Sequence, residues 1–485
     1  MIKMKIKVII IGAGATGMGV ASKLLRSEKN SDKNFDIHVY QEKNYISIGA
    51  CGIPYYIDNE FKDKKLLNDR TKKDFSEKTN NKNKNKINLN QNVIKFDTAK
   101  QEIHVKKTTN DKTKAKVVSY HALVIATGAK PKIPSPFSHG ILPHNVYNVF
   151  TKEDAINLKK AMKNAKKIVI IGGGFIGMEM VEACLKQKKD VTIVEMKDRL
   201  MADIVDKQFS QLIYYELTKK NINHKTKSKN DATILLNYQV EELMMTHNNV
   251  NDLRLRSVSD NENGKTIPCD LVILAVGFEP NTNFLQNSNI ELNKNKAIII
   301  NELCQIPSKE NFTKKFSNMY IGGDCAQIYS QFDKSSIYVP LATNANKMAR
   351  IIADNIKNPE HKYPGTLGSS ILRVGNLEIT KTGSFDTIDK NKIGSVYIKD
   401  YVLPRYLKQS RPLYLKLFYD KTNFQLLAAQ MAGYNHATLR INALATAIWN
   451  KMDIRDLQNL DLVYSPPFAR TSDIIHISSR KITSS

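Results

Sequence analysis

The feature that most limits the fold of this chain is a pattern that occurs twice. Residues 6–11 (Ile-Lys-Val-Ile-Ile-Ile) are an almost unbroken apolar run, as a strand buried in a parallel sheet requires. They lead into Gly12-Ala13-Gly14-Ala15-Thr16-Gly17, and Gly19 to Arg26 reads as a helix. A second strand, Phe35 to Tyr40, closes a βαβ unit. The pattern returns as a strand at Lys167 to Ile171, the turn Gly172-Gly173-Gly174-Phe175-Ile176-Gly177, a helix from Met178 to Lys186 and a strand from Val191 to Val194. The glycines make the turn and let a pyrophosphate sit on the helix N-terminus. Two complete units predict an α/β fold with two Rossmann-like domains and two dinucleotide sites.

The end of each second strand bears on what each site binds. An acid there holds ribose hydroxyls. In the second unit it is Glu195, whose charge repels a 2′-phosphate and favours NADH, although Lys197 and Arg199 follow closely and keep NADPH possible. In the first unit Gln41 stands there and Glu42 comes next, and either could bond a ribose.

Three further stretches read as cofactor-facing. Ala122 to Ile125 is an apolar strand running into Ala126-Thr127-Gly128, where small residues avoid a clash with a bound cofactor. Asp270 to Val276 is another, ending at Gly277-Phe278-Glu279-Pro280-Asn281. Met319-Tyr320-Ile321-Gly322-Gly323-Asp324 is the third. Asp324 can accept a hydrogen bond from a ribitol hydroxyl, and it also suits a helix N-cap. Pro340-Leu341-Ala342 precedes a helix to about Ile356.

From about residue 364 the character changes to strands at Ser370 to Val374, Ile393 to Tyr401, Tyr414 to Tyr419 and Leu426 to Ala432, then a helix from about Ala437 to Asn450. This is an α+β domain without a nucleotide fingerprint. It closes on Tyr464-Ser465-Pro466-Pro467-Phe468, where the prolines hold Ser465 extended and present the phenol of Tyr464.

Cys51 lies in Ser47-Ile48-Gly49-Ala50-Cys51-Gly52-Ile53-Pro54-Tyr55-Tyr56. Pro54 suits a first helical turn, which puts Cys51 at or just before a helix N-terminus, where a thiolate is favoured. The five cysteines (51, 184, 269, 304, 325) are scattered, with no metal-ligand spacing and no disulfide framework. A reducing cytoplasm is expected. No apolar run reaches the ~20 residues of a membrane span. The run after Met1 is too short for a signal peptide. The net charge of +26 is spread over segments such as Phe61 to Asn90 and Asn223 to Asn230. These mix Lys with Asn, Ser and Thr and lack the aromatic interleaving of a nucleic-acid platform. No nucleic-acid, membrane or metal partner is expected. The basic surface suits a polyanionic small substrate.

With these motifs in this order, the chain resembles the single-cysteine flavoprotein disulfide reductases, and within them coenzyme A disulfide reductases, through Cys-Gly-Ile-Pro-Tyr-Tyr and the terminal Tyr-Ser-Pro-Pro-Phe. The resemblance implies a glutathione-reductase-like architecture. An FAD domain (1–150 and 285–360) and an NAD domain (151–284) precede a C-terminal dimerisation domain (361–485). FAD is expected on Gly12, Gly14, Ala15, Gly17, Gln41 or Glu42, Thr127, Gly128, Asp324 and Ala342. NADH is expected on Gly172, Gly174, Phe175, Gly177, Glu179, Glu195 and Gly277. The resemblance makes Cys51 the redox sulfur, carrying a mixed disulfide with coenzyme A, and Tyr464 its partner from the other subunit of a homodimer. Lys23 and Arg26, three apart on one helix face, become candidates for substrate phosphates. Ser47 and Tyr406 are candidates for lining the substrate path. Sister branches are water-forming NADH oxidases and NADH peroxidases, which carry a His in the first glycine loop where this chain has Ala15. An oxidase working through a Cys51 sulfenic acid, or a persulfide or polysulfide reductase, is the alternative. A basic binding protein keeping flavin only as a structural element is the rival of another class.

Overall fold

The computed structural model describes residues 4–27, 33–68, 70–77, 86–108, 114–218, 231–259, 264–285, 288, 290–307, 317–385 and 388–483. The Lys/Asn-rich stretch 223–230 and, within Phe61 to Asn90, residues 69 and 78–85 lie outside them.

The chain begins with β1 (Met4–Ile11), α1 (Ala15–Ser27), β2 (Lys33–Gln41), the short helices α2 (Ile53–Ile57) and α3 (Lys72–Glu77), and β3 (Lys86–Leu89). An antiparallel ribbon follows, β4 (Gln91–Asp97), β5 (Glu102–Lys107) and β6 (Lys116–Ser119), then β7 (Ala122–Ile125) and β8 (Ala129–Pro131). A second unit comprises β9 (Val146–Asn148), α4 (Lys152–Ala161), β10 (Lys167–Ile171), α5 (Phe175–Lys186), β11 (Asp190–Glu195), α6 (Lys207–Thr218) and β12 (Thr233–Leu236). It has its own ribbon, β13 (Tyr238–Thr246), β14 (Asn249–Ser257) and β15 (Lys265–Pro268), before β16 (Leu271–Leu274) and β17 (Phe278–Pro280). The chain returns with β18 (Met319–Ile321), β19 (Ile328–Tyr329), β20 (Ser336–Ile337) and α7 (Ala342–Lys357).

The two sheets share one topology. The first runs β18-β7-β1-β2-β3 and the second β9-β16-β10-β11-β12, parallel throughout. Their central strands are buried on both faces, from Val8 to Ile11 and from Ile168 to Ile171, which is why both read as unbroken apolar runs. Both helices start earlier than the pattern predicts, at Ala15 and Phe175, because the last glycine of each motif lies inside the first turns. Gly19 lets α1 approach α7, since a Cβ there would stand 2.7 Å from the Ala349 side chain.

Val146–Asn148 already belongs to the second sheet, so the chain crosses before it. The crossing is pinned by β8, which pairs antiparallel with β17 where the chain comes back. The alternative role of Asp324 as a helix N-cap does not hold. Asp324 lies in a turn after β18, and the next helix is α7.

The C-terminal domain is an antiparallel sheet, β21-β22-β25-β24-β23, of β21 (Ser370–Val374), β22 (Leu377–Gly383), β23 (Ile393–Tyr401), β24 (Pro412–Asp420) and β25 (Leu426–Gly433). Strand β25 is buried along its whole length, and α8 (Ile441–Trp449) and α9 (Ile474–Thr483) pack on the sheet. Strand β22 and helix α9 had not been anticipated. No helix among the described residues is long and apolar enough to cross a membrane.

Candidate active site

Each glycine loop is closed by the chain that crosses it. A Cβ on Gly12, at φ +101°, would collide with the Ala126 carbonyl, and one on Gly172, at φ +108°, with that of Ala275. Gly17 and Gly177 lie against the carbonyls of Gly12 and Gly172. Gly14 and Gly174 face open space, with no heavy atom within 4 Å of a Cβ. That clear side, at the start of α1 and of α5, is where a pyrophosphate meets unpaired helix N–H groups.

The residue ending each second strand is held alike. The Gly173 N–H donates to Glu195 Oε2 at 2.6 Å, and the Ala13 N–H donates to Gln41 Oε1 at 3.3 Å. Gln41 therefore stands where Glu195 stands, whereas Glu42 is exposed one residue further on. Gln41 also donates from Nε2 to the Tyr45 carbonyl at 3.2 Å, which a carboxylate cannot do. Around Glu195 the cations are matched, Lys197 by Asp203 and Arg199 by Asp198.

Thr127 and Gly128 are stitched to the returning chain. Thr127 Oγ1 donates to the Asn281 carbonyl at 2.8 Å, and the Asn281 N–H donates to the Gly128 carbonyl at 2.9 Å. Gly277 adopts φ +93°. Asp324 is half-buried, desolvation raises the pKa of its carboxyl, and no described side chain hydrogen-bonds it. Tyr338 donates its hydroxyl to the Asp324 carbonyl at 2.9 Å and fixes the turn. Ala342 opens α7 and is exposed. A half-buried acceptor left over and two clear glycine cradles fit an FAD and a nicotinamide dinucleotide. On α5, Phe175 is half-buried. One turn on, burial and then the charge of Glu182 push Glu179 up to about 7.

Cys51 is the one exposed cysteine of the five. Burial pushes the thiols of Cys184, Cys269 and Cys304 up to about 12 and that of Cys325 to about 11, which leaves them protonated. Cys51 sits in a 3-10 turn, Ala50–Gly52, directly before α2, with Pro54 in the first turn as expected. On one side the Ser47 N–H, at φ +50°, donates to the Ala13 carbonyl of the first glycine loop at 2.8 Å. On the other, Ile53, Tyr56 and Ile57 of α2 pack into a core shared with Ile168, Ile170 and Met178 of the second unit. The cysteine turn thus bridges the two dinucleotide units.

Contacts that sequence reading missed secure this bridge. Lys152 Nζ donates to Asn68 Oδ1 at 2.6 Å, and Asn68 Nδ2 donates to the Ile46 carbonyl at 2.9 Å. Tyr45 donates to Glu153 at 3.2 Å. The only local signal was the capping box Thr151-Lys152-Glu153-Asp154, which marks the start of α4 without naming what it touches.

The substrate candidates part company. Lys23 is committed to an ion pair with Asp354 and to the Arg350 carbonyl, so it joins α1 to α7, whereas Arg26 is exposed and without a partner among the described residues. The two cations do not form the matched pair that their spacing suggested. Tyr464 and Tyr406 are exposed on the C-terminal domain and hydrogen-bond to none of the described residues.

A coenzyme A polysulfide/persulfide reductase of Pyrococcus horikoshii that uses NAD(P)H is 30% identical over 482 residues, 98% of each chain. A coenzyme A disulfide reductase of Staphylococcus epidermidis is 26% identical over 479 residues, 98% of this chain and 99% of the relative. The structure of reduced Bacillus anthracis CoADR-RHD superposes with a TM-score of 0.85 at 25% identity, over 99% of this chain and 80% of that one. Residues 6–349 match the model for pyridine nucleotide-disulphide oxidoreductases, and this chain belongs to that family.

Proposed function

We propose that this chain reduces coenzyme A disulfide, or a closely related disulfide of a small thiol, with NADH. The observation that carries the reading is Cys51, the one exposed thiol, on a turn fastened to both dinucleotide units. FAD is held by Gly12, Gly14, Ala15, Gly17, Gln41, Thr127, Gly128, Asp324 and Ala342, and NADH by Gly172, Gly174, Phe175, Gly177, Glu179, Glu195 and Gly277. When bound, these cofactors supply the redox chemistry, an electron pair from the nicotinamide delivered through the flavin.

The Cys51 thiolate attacks one sulfur of the substrate disulfide. The S–S bond breaks, a mixed disulfide forms on Cys51 and one thiolate leaves. Tyr464, supplied by the partner in a homodimer, gives that thiolate a proton or hydrogen bond. Two electrons and a proton then cleave the mixed disulfide, release the second thiol and restore the Cys51 thiolate. Arg26, Ser47 and Tyr406 line the substrate path. Glu195 sets the preference for NADH, because its carboxylate repels a 2′-phosphate and the cations beside it are already paired.

Mass analysis of the oxidised full chain tests this. A reducible coenzyme A adduct on Cys51 is expected, and a lone added oxygen in its place overturns the reading in favour of oxygen reduction. The 30% identity to a polysulfide/persulfide reductase supports a second reading on the same sulfur. Faster turnover on coenzyme A persulfide than on coenzyme A disulfide selects it.

A further inference from the structure

The segment bearing Tyr464 is exposed, with Val463 93% and Phe468 74% accessible, yet both its ends are fastened. At its start, His476 Nε2 bonds the Leu460 carbonyl at 2.8 Å. The Asp473 N–H donates to His476 Nδ1 at 3.2 Å, so Nδ1 is the acceptor and Nε2 carries the proton. At its end, Arg440 Nη2 donates to the Phe468 carbonyl at 2.9 Å. Arg440 Nε donates in turn to Asp473 Oδ2 at 2.8 Å. Asp473 is buried and stands directly before α9. One carboxylate and its own N–H therefore hold both anchors.

The anchor on Arg440 has a rigid base. The turn Ala437–Arg440 follows two residues at positive φ, Asn435 and His436. The buried carboxylate of Glu378 on β22 accepts from the His436 N–H at 2.8 Å and from the Thr438 hydroxyl at 2.7 Å. Beyond the segment, Arg470 pairs with Asp400 on β23. Leu462 of this segment packs on the C-terminal core, whereas Val463, Tyr464 and Phe468 are exposed, so their order depends on these backbone anchors.

We infer that Arg440, Asp473 and His476 form a clamp that positions Tyr464 for the thiol-releasing step. This rests on the role given to Tyr464 under the proposed function. The clamp acts through the backbone of the strap, as a set of positioning residues. It fixes the two ends of the strap so that the phenol arrives preorganised, and misplacement of a catalytic group by about 1 Å costs up to ~100-fold in rate.

The test is a double-mutant cycle on the FAD-loaded full chain, following flavin reduction by NADH and thiol release separately. Arg440→Gln is expected to slow thiol release about tenfold and to leave flavin reduction unchanged. In a Tyr464→Phe background it is expected to add nothing further. His476→Ala, which frees the other end, should behave alike and serves if Arg440→Gln fails to fold. Equal losses in both backgrounds assign the clamp a general structural role and overturn the proposal. So does a native rate from both variants. A Tyr464→Phe variant that releases thiol at the native rate removes the role of Tyr464 itself, and the clamp's role with it. A slow Tyr464→Phe beside a fast Arg440→Gln removes the clamp alone.

Discussion

The turn that follows the second strand is built in the same way in both dinucleotide units, yet only one of them carries an exposed thiol. Ser47 and Met201 stand equally far beyond Gln41 and Glu195, both at positive φ, and each donates its N–H to the carbonyl of the second residue of its glycine loop. Continuing at equal spacing, Cys51 corresponds to Val205, and the starts of α2 and α6 coincide. Val205 is buried and closes a core, whereas Cys51 is exposed. The helices differ in a similar way. Gly19 on α1 corresponds to Glu179 on α5, so a glycine packs α7 in one unit and a carboxyl titrates near neutrality in the other. The duplicated scaffold sets the geometry, and single side chains on it divide the labour.

The comparison breaks most sharply at its reactive member. Cys51→Ser should abolish disulfide turnover, a loss of at least ~1,000-fold, while FAD binding and flavin reduction by NADH persist. Turnover of coenzyme A disulfide at the native rate would assign the sulfur chemistry elsewhere.

Glu179 is next. Its folded pKa is raised from 4.5 to about 7, so the neutral form stabilises the fold. That contribution is complete below pH about 4.5 and is lost as pH rises through about 7, where the fold must bury a charge. Glu179→Gln should melt with wild type near pH 5 and above it at pH ~8.5, by up to about 3 kcal/mol. A gap that does not depend on pH would contradict the raised pKa of this carboxyl.

Val205→Ala should lower stability by about 2 kcal/mol in denaturant titration and leave the disulfide half-reaction at its native rate. A selective loss of that half-reaction would mean that the two turns are less divided than they look.

The smallest effect separates the strand ends. Glu195→Gln should reduce the preference for NADH over NADPH about tenfold in kcat/KM, roughly 1.4 kcal/mol, while Gln41→Glu leaves that preference unchanged. Equal shifts from both would show that neither position reads the nicotinamide ribose alone.

Much of this molecule was legible in one dimension. A GxGxxG turn between an apolar strand and a helix is dictated locally, because only glycine tolerates the φ of Gly12 and Gly172 and the approach of another carbonyl. The strands of the C-terminal domain followed from their apolar runs, but β22 was missed although it is largely buried. Asp324 looked as much like an N-cap as a cofactor ligand, since both roles ask only for an acceptor at the end of a strand.

The sequence alone determined that there are two dinucleotide units, where their glycine loops fall and that a lone cysteine follows the first. Only the tertiary structure decided that Gln41 rather than Glu42 matches Glu195, that Lys23 is taken by Asp354, and that Cys51 bridges both units. It also decided that one sheet takes its fifth strand from before its glycine loop and the other from long after. The physical reason is range. Backbone sterics and apolar periodicity act over a few residues and are written in order along the chain. An amide choosing its carbonyl, or a lysine its carboxylate, depends on partners tens to hundreds of residues away that folding alone brings into contact.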